Sequence, residues 1–153
     1  MRIRRARTRD SAAAAAVVRV VYDEYGFTWD ADGYHADLLD VEAAYAAFYV
    51  AESDGRIVGT AGLSREGSLE RFYVLPQARG AGAGTALLAA VADEARRLGH
   101  TELEIWSDKR FEGAHRLYTR HGARVVGERV HDAPTRATSG DSCSTSRPAP
   151  RRP

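Results

Sequence analysis

Apolar residues along the chain switch between helical and strand spacing, and the switches mark out a series of elements. Residues 1–7 read as a short strand. Asp10-Ser11 then offers a cap for a helix that starts in the alanine run 12–16 and continues through Val17, Val18, Val20 and Val21. Leu38, Val41 and Tyr45, three and four apart, predict a second helix over residues 34–45. Runs 48–52 and 56–63 flank Asp54-Gly55, a pair suited to a tight hairpin turn, and 68–74 forms the next strand. Residues 84–98 carry Leu87, Leu88, Val91, Ala95 and Leu98 at helical spacing, with Gly99 as the stop. A strand at 101–107, a helix at 112–121 ended by Gly122, and a strand at 124–130 complete the pattern. This order implies an α/β (α+β) fold: a mixed, mostly antiparallel central sheet with helices on both faces.

Composition fits one compact domain. The chain has 153 residues, is 44% hydrophobic, and has no apolar run near the ~20 residues that cross a bilayer, so no membrane partner is expected. Its first residues are basic, but no signal-like apolar core follows, which makes a cytoplasmic location the default. Residues 133–153 are rich in Ser, Thr, Pro and Arg and read as a disordered polar tail behind a domain of residues 1–132. That tail carries four arginines against Asp141, which leaves 18 basic and 20 acidic groups in the rest of the chain. Such a body is a poor match for nucleic acid. Cys143, the single cysteine, rules out an internal disulfide and a cysteine-based zinc site, and the histidines at 35, 100, 115, 121 and 131 lack metal-ligand spacing, so no metal is expected.

The candidate chemistry begins at Arg79-Gly80-Ala81-Gly82-Ala83-Gly84, between a strand and a long helix. Glycines strip side chains from the helix start. Phosphate oxygens can then reach unpaired N–H groups of the first turn, where the helix dipole also favours negative charge. Two familiar phosphate loops fail on these letters: there is no lysine for G-x-x-x-x-G-K-[ST], and no register gives G-x-G-x-x-G. The spacing that fits is R-x-x-G-x-G, in Arg79, Gly82 and Gly84.

That spacing resembles the coenzyme A loop of the GNAT superfamily of N-acetyltransferases. The run Phe72-Tyr73-Val74-Leu75-Pro76-Gln77-Ala78-Arg79-Gly80-Ala81-Gly82-Ala83-Gly84 with Leu87-Leu88 is similar to the family's central strand, loop and helix. Ala114-His115-Arg116-Leu117-Tyr118-Thr119-Arg120-His121-Gly122 is similar to its A-x-x-L-Y-x-R-x-G helix end. The opening from Ile3 to Asp10 and the hairpin from Tyr49 to Gly59 also read like family members, so the resemblance covers about residues 1 to 130.

The resemblance implies acetyl transfer from acetyl-CoA to an amine. In the family the strand before the loop and the strand after the long helix splay into a V, here 68–74 and 101–107, and hold the pantetheine arm. It assigns Phe72 and Val74 to the pantetheine amides, and Arg79, Gly80, Gly82, Gly84 and Thr85 to the phosphates. A backbone N–H near Val74 would meet the developing oxyanion. Tyr118 would hydrogen-bond or protonate the leaving sulfur. An alkyl ammonium must lose a proton before it attacks. The strand position where some members carry a glutamate falls on Trp106, which leaves Glu104, two residues earlier on the same face, or Glu70 on the neighbouring strand, as the base, directly or through water. Phe111 stands where many members place an asparagine.

The segment between the first two helices forms the family's substrate wall. Here it holds Asp23, Glu24, Asp30, Asp32, Asp37, Asp40 and Glu42 without one lysine or arginine between them. Asp30 and Asp32 with Tyr25 are the candidate acceptor contacts. As a wall they would favour a small cationic amine; as ordinary helix faces and caps they would not. After Gly122 the family's last strand is not recognisable, so either that strand is absent, leaving an edge open to a partner subunit in a homodimer, or the C-terminus is altered. A non-catalytic acyl-CoA-binding sensor is the alternative to the enzyme.

Overall fold

The computed structural model describes residues 1–130 and 142–148. Seven strands form one sheet in the order β1-β2-β3-β4-β5-β7-β6: β1 (Arg2–Arg5), β2 (Ala47–Ser53), β3 (Arg56–Leu63), β4 (Ser68–Val74), β5 (Glu104–Asp108), β6 (Ala123–Val130) and β7 (Ser142–Pro148). Every pairing is antiparallel except β4 with β5. Among the described residues four α-helices accompany it: α1 (Ser11–Glu24), α2 (Val41–Ala44), α3 (Ala83–Arg97) and α4 (Glu112–Arg120).

Strand alternation explains why both faces carry helices. Along β2, Ala47, Tyr49 and Ala51 pack with Leu87, Leu88, Val91 and Ala95 of α3, while Phe48 and Val50 pack with Ala14, Val18 and Tyr22 of α1. A strand buried on both sides reads as a continuous apolar run, which is what this segment shows. The Asp54-Gly55 turn closes β2 onto β3 with both residues in the left-handed region, φ 49° and 73°. Leu98, expected on the apolar face of α3, is instead exposed at its end.

Two further expectations are corrected. The helix expected over 34–45 is broken: residues Ala36–Leu39 form a 3-10 turn, and Asp40, extended at φ −149°, restarts a short α2 by accepting hydrogen bonds from Glu42 N and Ala43 N. Leu38, Val41 and Tyr45 still reach the core, because the break leaves their side chains on the same side. The tail also differs from its reading. Ser142–Pro148 is a strand inserted between β5 and β6, so the sheet runs past residue 132 and includes Cys143. Its polar sequence hides it, since backbone pairing to two neighbours supplies what apolar alternation would otherwise signal. His131 and the remainder of the tail lie outside the described residues. Among the described residues no helix is long and apolar enough to cross a membrane, and no group of three or more His, Cys, Asp or Glu is placed to hold a metal ion.

Candidate active site

The parallel pairing of β4 with β5 is confined to Ser68 with Glu104 and Leu69 with Ile105. Both strands continue beyond it, and a cleft of about 940 Å³ lies against residues 69–74 of β4 and 106–108 of β5. One side of its wall comes from the start of α3 and from α4, the other from the end of α1 and the loop after it.

The glycine loop occupies the α3 side. Gly82 precedes the helix at φ 87°, a conformation that a side chain disfavours, and no side chain caps the helix. The first-turn N–H groups therefore remain available to an anion. Gly84 acts through close packing instead. A Cβ there would come within 3.1 Å of Leu117 and 3.4 Å of Phe72, so its absence lets α3 approach α4 and β4. Thr85 and Gly80 also line the cleft. Arg79 is already engaged: Nη1 and Nη2 donate to Glu24 at 2.8 and 2.7 Å, and Nε donates to Val74 O at 3.0 Å. Arg79 holds Glu24 below its usual carboxylate range, although burial works weakly the other way.

Strand β4 carries a bulge that the sequence pattern did not reveal. Gly62 pairs with Glu70 and Thr60 with Tyr73, so one residue of β3 faces two of β4, Arg71 and Phe72. Arg71 takes the left-handed conformation, φ 50°, and Thr60 Oγ1 donates to its carbonyl at 2.6 Å. The bulge resets the alternation. Leu69, Phe72 and Val74 pack on the α3 face, while Tyr73 packs on the α1 face and Arg71 pairs there with Asp37. The spacing of three between Leu69 and Phe72, with two charges between, was the available signal. Past the bulge, Leu75 N donates to Val58 O of β3 at 2.8 Å, so alternation turns the Val74 peptide toward the edge that β5 leaves unpaired.

Of the candidate bases, Glu70 lines the cleft and Glu104 does not. Glu104 accepts a hydrogen bond from the Trp106 indole, and the Trp106 side chain takes the cleft-lining position. Desolvation raises the Glu70 pKa; the Arg71 charge opposes this and Asp37 adds to it. Tyr118, on α4, is buried yet lines the cleft, with its ring 5.6 Å from that of Phe72. Burial lifts its hydroxyl well above the ordinary phenol range, with a further push from Tyr73 and a smaller opposing hydrogen bond from Ser107.

The acidic segment proves to be mostly scaffold. Glu24 holds Arg79; Asp40 caps α2; Glu42 binds Arg7 and Thr8. Asp37 accepts from Arg71 Nε and Nη2 at 2.9 and 2.7 Å and from the Tyr45 hydroxyl. Burial pushes the Asp37 carboxyl up, but Arg71 and Tyr45 outweigh it and hold the group below its usual range. Asp30 and Tyr25 line the cleft, though the Asp30 carboxylate also accepts from Gly33 N and Tyr34 N. Asp32 is exposed and not part of the wall. The anionic wall expected from these carboxylates is therefore reduced to Asp30, beside which Glu70, one of the candidate bases, adds a second carboxylate. Around them, Tyr25, Phe27, Tyr73 and Phe111 form one aromatic cluster, so Phe111 packs as wall. His35, buried and stacked on Trp29 at 4.1 Å, anchors this loop through Nδ1, 3.2 Å from Asp30 N, and burial lowers its pKa.

Comparison with known proteins agrees with this geometry. Residues 14–123 match the acetyltransferase (GNAT) family. Aminoalkylphosphonate N-acetyltransferase of Salmonella typhimurium is 30% identical over 130 residues, covering 78% of this chain and 82% of that protein. A Staphylococcus aureus acetyltransferase of the GNAT family shares the fold at TM-score 0.80 and 20% identity, over 96% of this chain and 97% of that one. So does yncA of Salmonella typhimurium, solved with its cofactor acetyl-CoA, at TM-score 0.75 and 22% identity over 96% and 92% of the two chains. With the family's loop, its tyrosine helix and its sheet all in place, the chain belongs to the GNAT acetyltransferase family and is an N-acetyltransferase that uses acetyl-CoA.

Proposed function

We propose that the chain acetylates the primary amine of a small acceptor by direct transfer, with both substrates held in the cleft and Glu70 as the base. The observation that carries this reading is that Glu70 and Tyr118 line one cleft together with the residues of the glycine loop. Acetyl-CoA fits that loop because bare first-turn amides and a left-handed Gly82 leave room for two phosphates.

A side-chain amine and an ordinary glutamate differ by about six pKa units, a gap of roughly 8 kcal/mol for a full proton transfer. Desolvation narrows it from both ends, raising Glu70 and lowering the amine. Glu70 takes one proton from the ammonium to free its lone pair, and the second proton leaves the nitrogen to water once the new N–C bond has formed. The Val74 peptide, on the unpaired edge, supplies an N–H to the carbonyl oxygen as negative charge grows there. The C–S bond breaks with its electron pair left on sulfur. Tyr118 acts there as a hydrogen-bond donor rather than a full acid. A phenol raised above ~10 does not surrender its proton to a thiolate whose conjugate acid lies near ~8.5. Asp30 and Tyr25 border the acceptor end, where Asp30 attracts a cationic amine.

The test is release of free coenzyme A thiol from acetyl-CoA with a panel of primary amines, followed across pH. Acceptor-dependent release with an acid limb that disappears in Glu70→Gln supports the assignment. Tight acetyl-CoA binding without release for any amine would return the chain to the sensor reading.

A further inference from the structure

Arg71 has a role to which neither the glycine loop nor the acetyl-transfer chemistry lays claim. Its guanidinium is nine-tenths buried, with a side-chain exposure of 10%, yet it lines the acceptor side of the cleft. Nε and Nη2 serve Asp37, Nη2 also donates to Tyr34 O at 2.6 Å, and the guanidinium has the Tyr73 hydroxyl as a further hydrogen-bond partner. The Tyr34 ring packs against the same guanidinium, 4.8 Å from its centre. The Tyr22 and Tyr73 rings stand 6.0 Å apart beside it, and Arg71 is close enough to act on the hydroxyls of both. A buried guanidinium edge next to phenolic hydroxyls is a receptor for an oxyanion.

The bulge adds a second feature. In a regular strand, residues 70 and 71 would face opposite sides; here Glu70 and Arg71 both line the cleft. The pair therefore offers a negative and a positive group from adjacent Cα atoms, ~3.8 Å apart along the chain.

We propose that the acceptor is a small zwitterion, whose ammonium meets Glu70 and whose carboxylate or phosphonate is received by Arg71 with the surrounding tyrosines. This assignment rests on the acetyl-transfer reading and names the acceptor class for that same cleft. An anion alone would face Asp37, Asp30 and Glu70. A diamine would set its second cation beside Arg71. A zwitterion satisfies both ends, and the spacing of consecutive residues suits about two to four atoms between amine and anion.

The experiment compares β-alanine, aminoethylphosphonate, n-propylamine and diaminopropane as acceptors at saturating acetyl-CoA. The expected result is a kcat/KM at least ~10-fold higher for the two zwitterions than for n-propylamine, with diaminopropane lowest. In Arg71→Lys the ratio of zwitterion to n-propylamine falls toward one, whereas a purely structural loss would lower both acceptors alike and leave the ratio standing. Equal or better turnover of n-propylamine or diaminopropane by the unmodified protein overturns the subsite while leaving acetyl transfer intact. If no amine releases thiol, the acetyl-transfer reading is what fails. Calorimetric titration of coenzyme A-loaded protein with aminoethylphosphonate against n-propylamine then decides the subsite, with preferential binding supporting it and equal or absent binding overturning it.

Discussion

The two halves of the cleft are made of different material. On the α3 side the loop offers backbone amides, and its key residues act by lacking side chains: Gly82 through a left-handed φ of 87°, Gly84 through its approach to Leu117. On the acceptor side the wall is held by side-chain pairs distant in sequence. Asp37 clasps Arg71 across 34 positions, while Glu24 ties the loop's own Arg79 to α1 across 55. A site built from peptide groups is specified locally. A site built from long-range pairs can be altered at one residue without disturbing the loop, so it is where acceptor preference can change.

Breaking the acceptor half at its chemistry should have the largest effect. Glu70→Gln is expected to lower kcat by about 100-fold or more with acetyl-CoA affinity unchanged, measured by thiol release and by equilibrium binding. The sign of the pH dependence follows from the base having to be ionised. Activity rises with pH through the Glu70 pKa, and because desolvation raises that pKa the acid limb lies above the ordinary glutamate value of about 4.3. An acid limb in the ordinary range, or one surviving in Glu70→Gln, would remove Glu70 from the role.

Breaking the same half at its scaffold should be felt as stability. Asp37→Ala leaves the buried Arg71 charge unpartnered, at a cost of about 3 kcal/mol, or a fall of roughly 10 °C in Tm by calorimetry. On the donor half, Gly82→Val should weaken acetyl-CoA about 100-fold by titration, through the strained φ and the screened amides, with little change in acceptor KM. Unchanged affinity would mean that the phosphates bind elsewhere. Tyr118→Phe, between the halves, should reduce kcat about 10-fold and keep the acid limb, which separates a donor to sulfur from a base. The smallest effect is expected at Glu24→Gln. Both partners of its pair with Arg79 are more than a third exposed, so acetyl-CoA KM should move by less than about 3-fold.

Much of this was legible in the chain. The limits of β3 and β4, the Asp54-Gly55 turn and the apolar stripe of α3 followed from local spacing. Alternation, turn chemistry and helical periodicity depend on near neighbours. The glycine run at the start of α3 was legible for the same reason, as was the helix that carries Tyr118, and both line the cleft. Other features needed distant partners. The acids of the first inter-helix segment looked alike in sequence, yet Asp37, Asp40, Glu24 and Glu42 have separate structural partners, and only Asp30 among the segment's acids lines the cleft. Glu70 and Glu104 looked alike in sequence, and only the tertiary structure separates them, with Glu70 lining the cleft and Glu104 accepting from the Trp106 indole.

The amino-acid sequence by itself determined most of the elements, the glycine run before α3 and the family, because each rests on interactions within a few residues of chain. The tertiary structure decided the rest. It placed a polar segment, Ser142–Pro148, inside the sheet by backbone pairing. It also bent β4 at Arg71, so that consecutive charges share one wall of the cleft. Both outcomes depend on hydrogen bonds to partners remote in sequence, and local pattern carries no record of those.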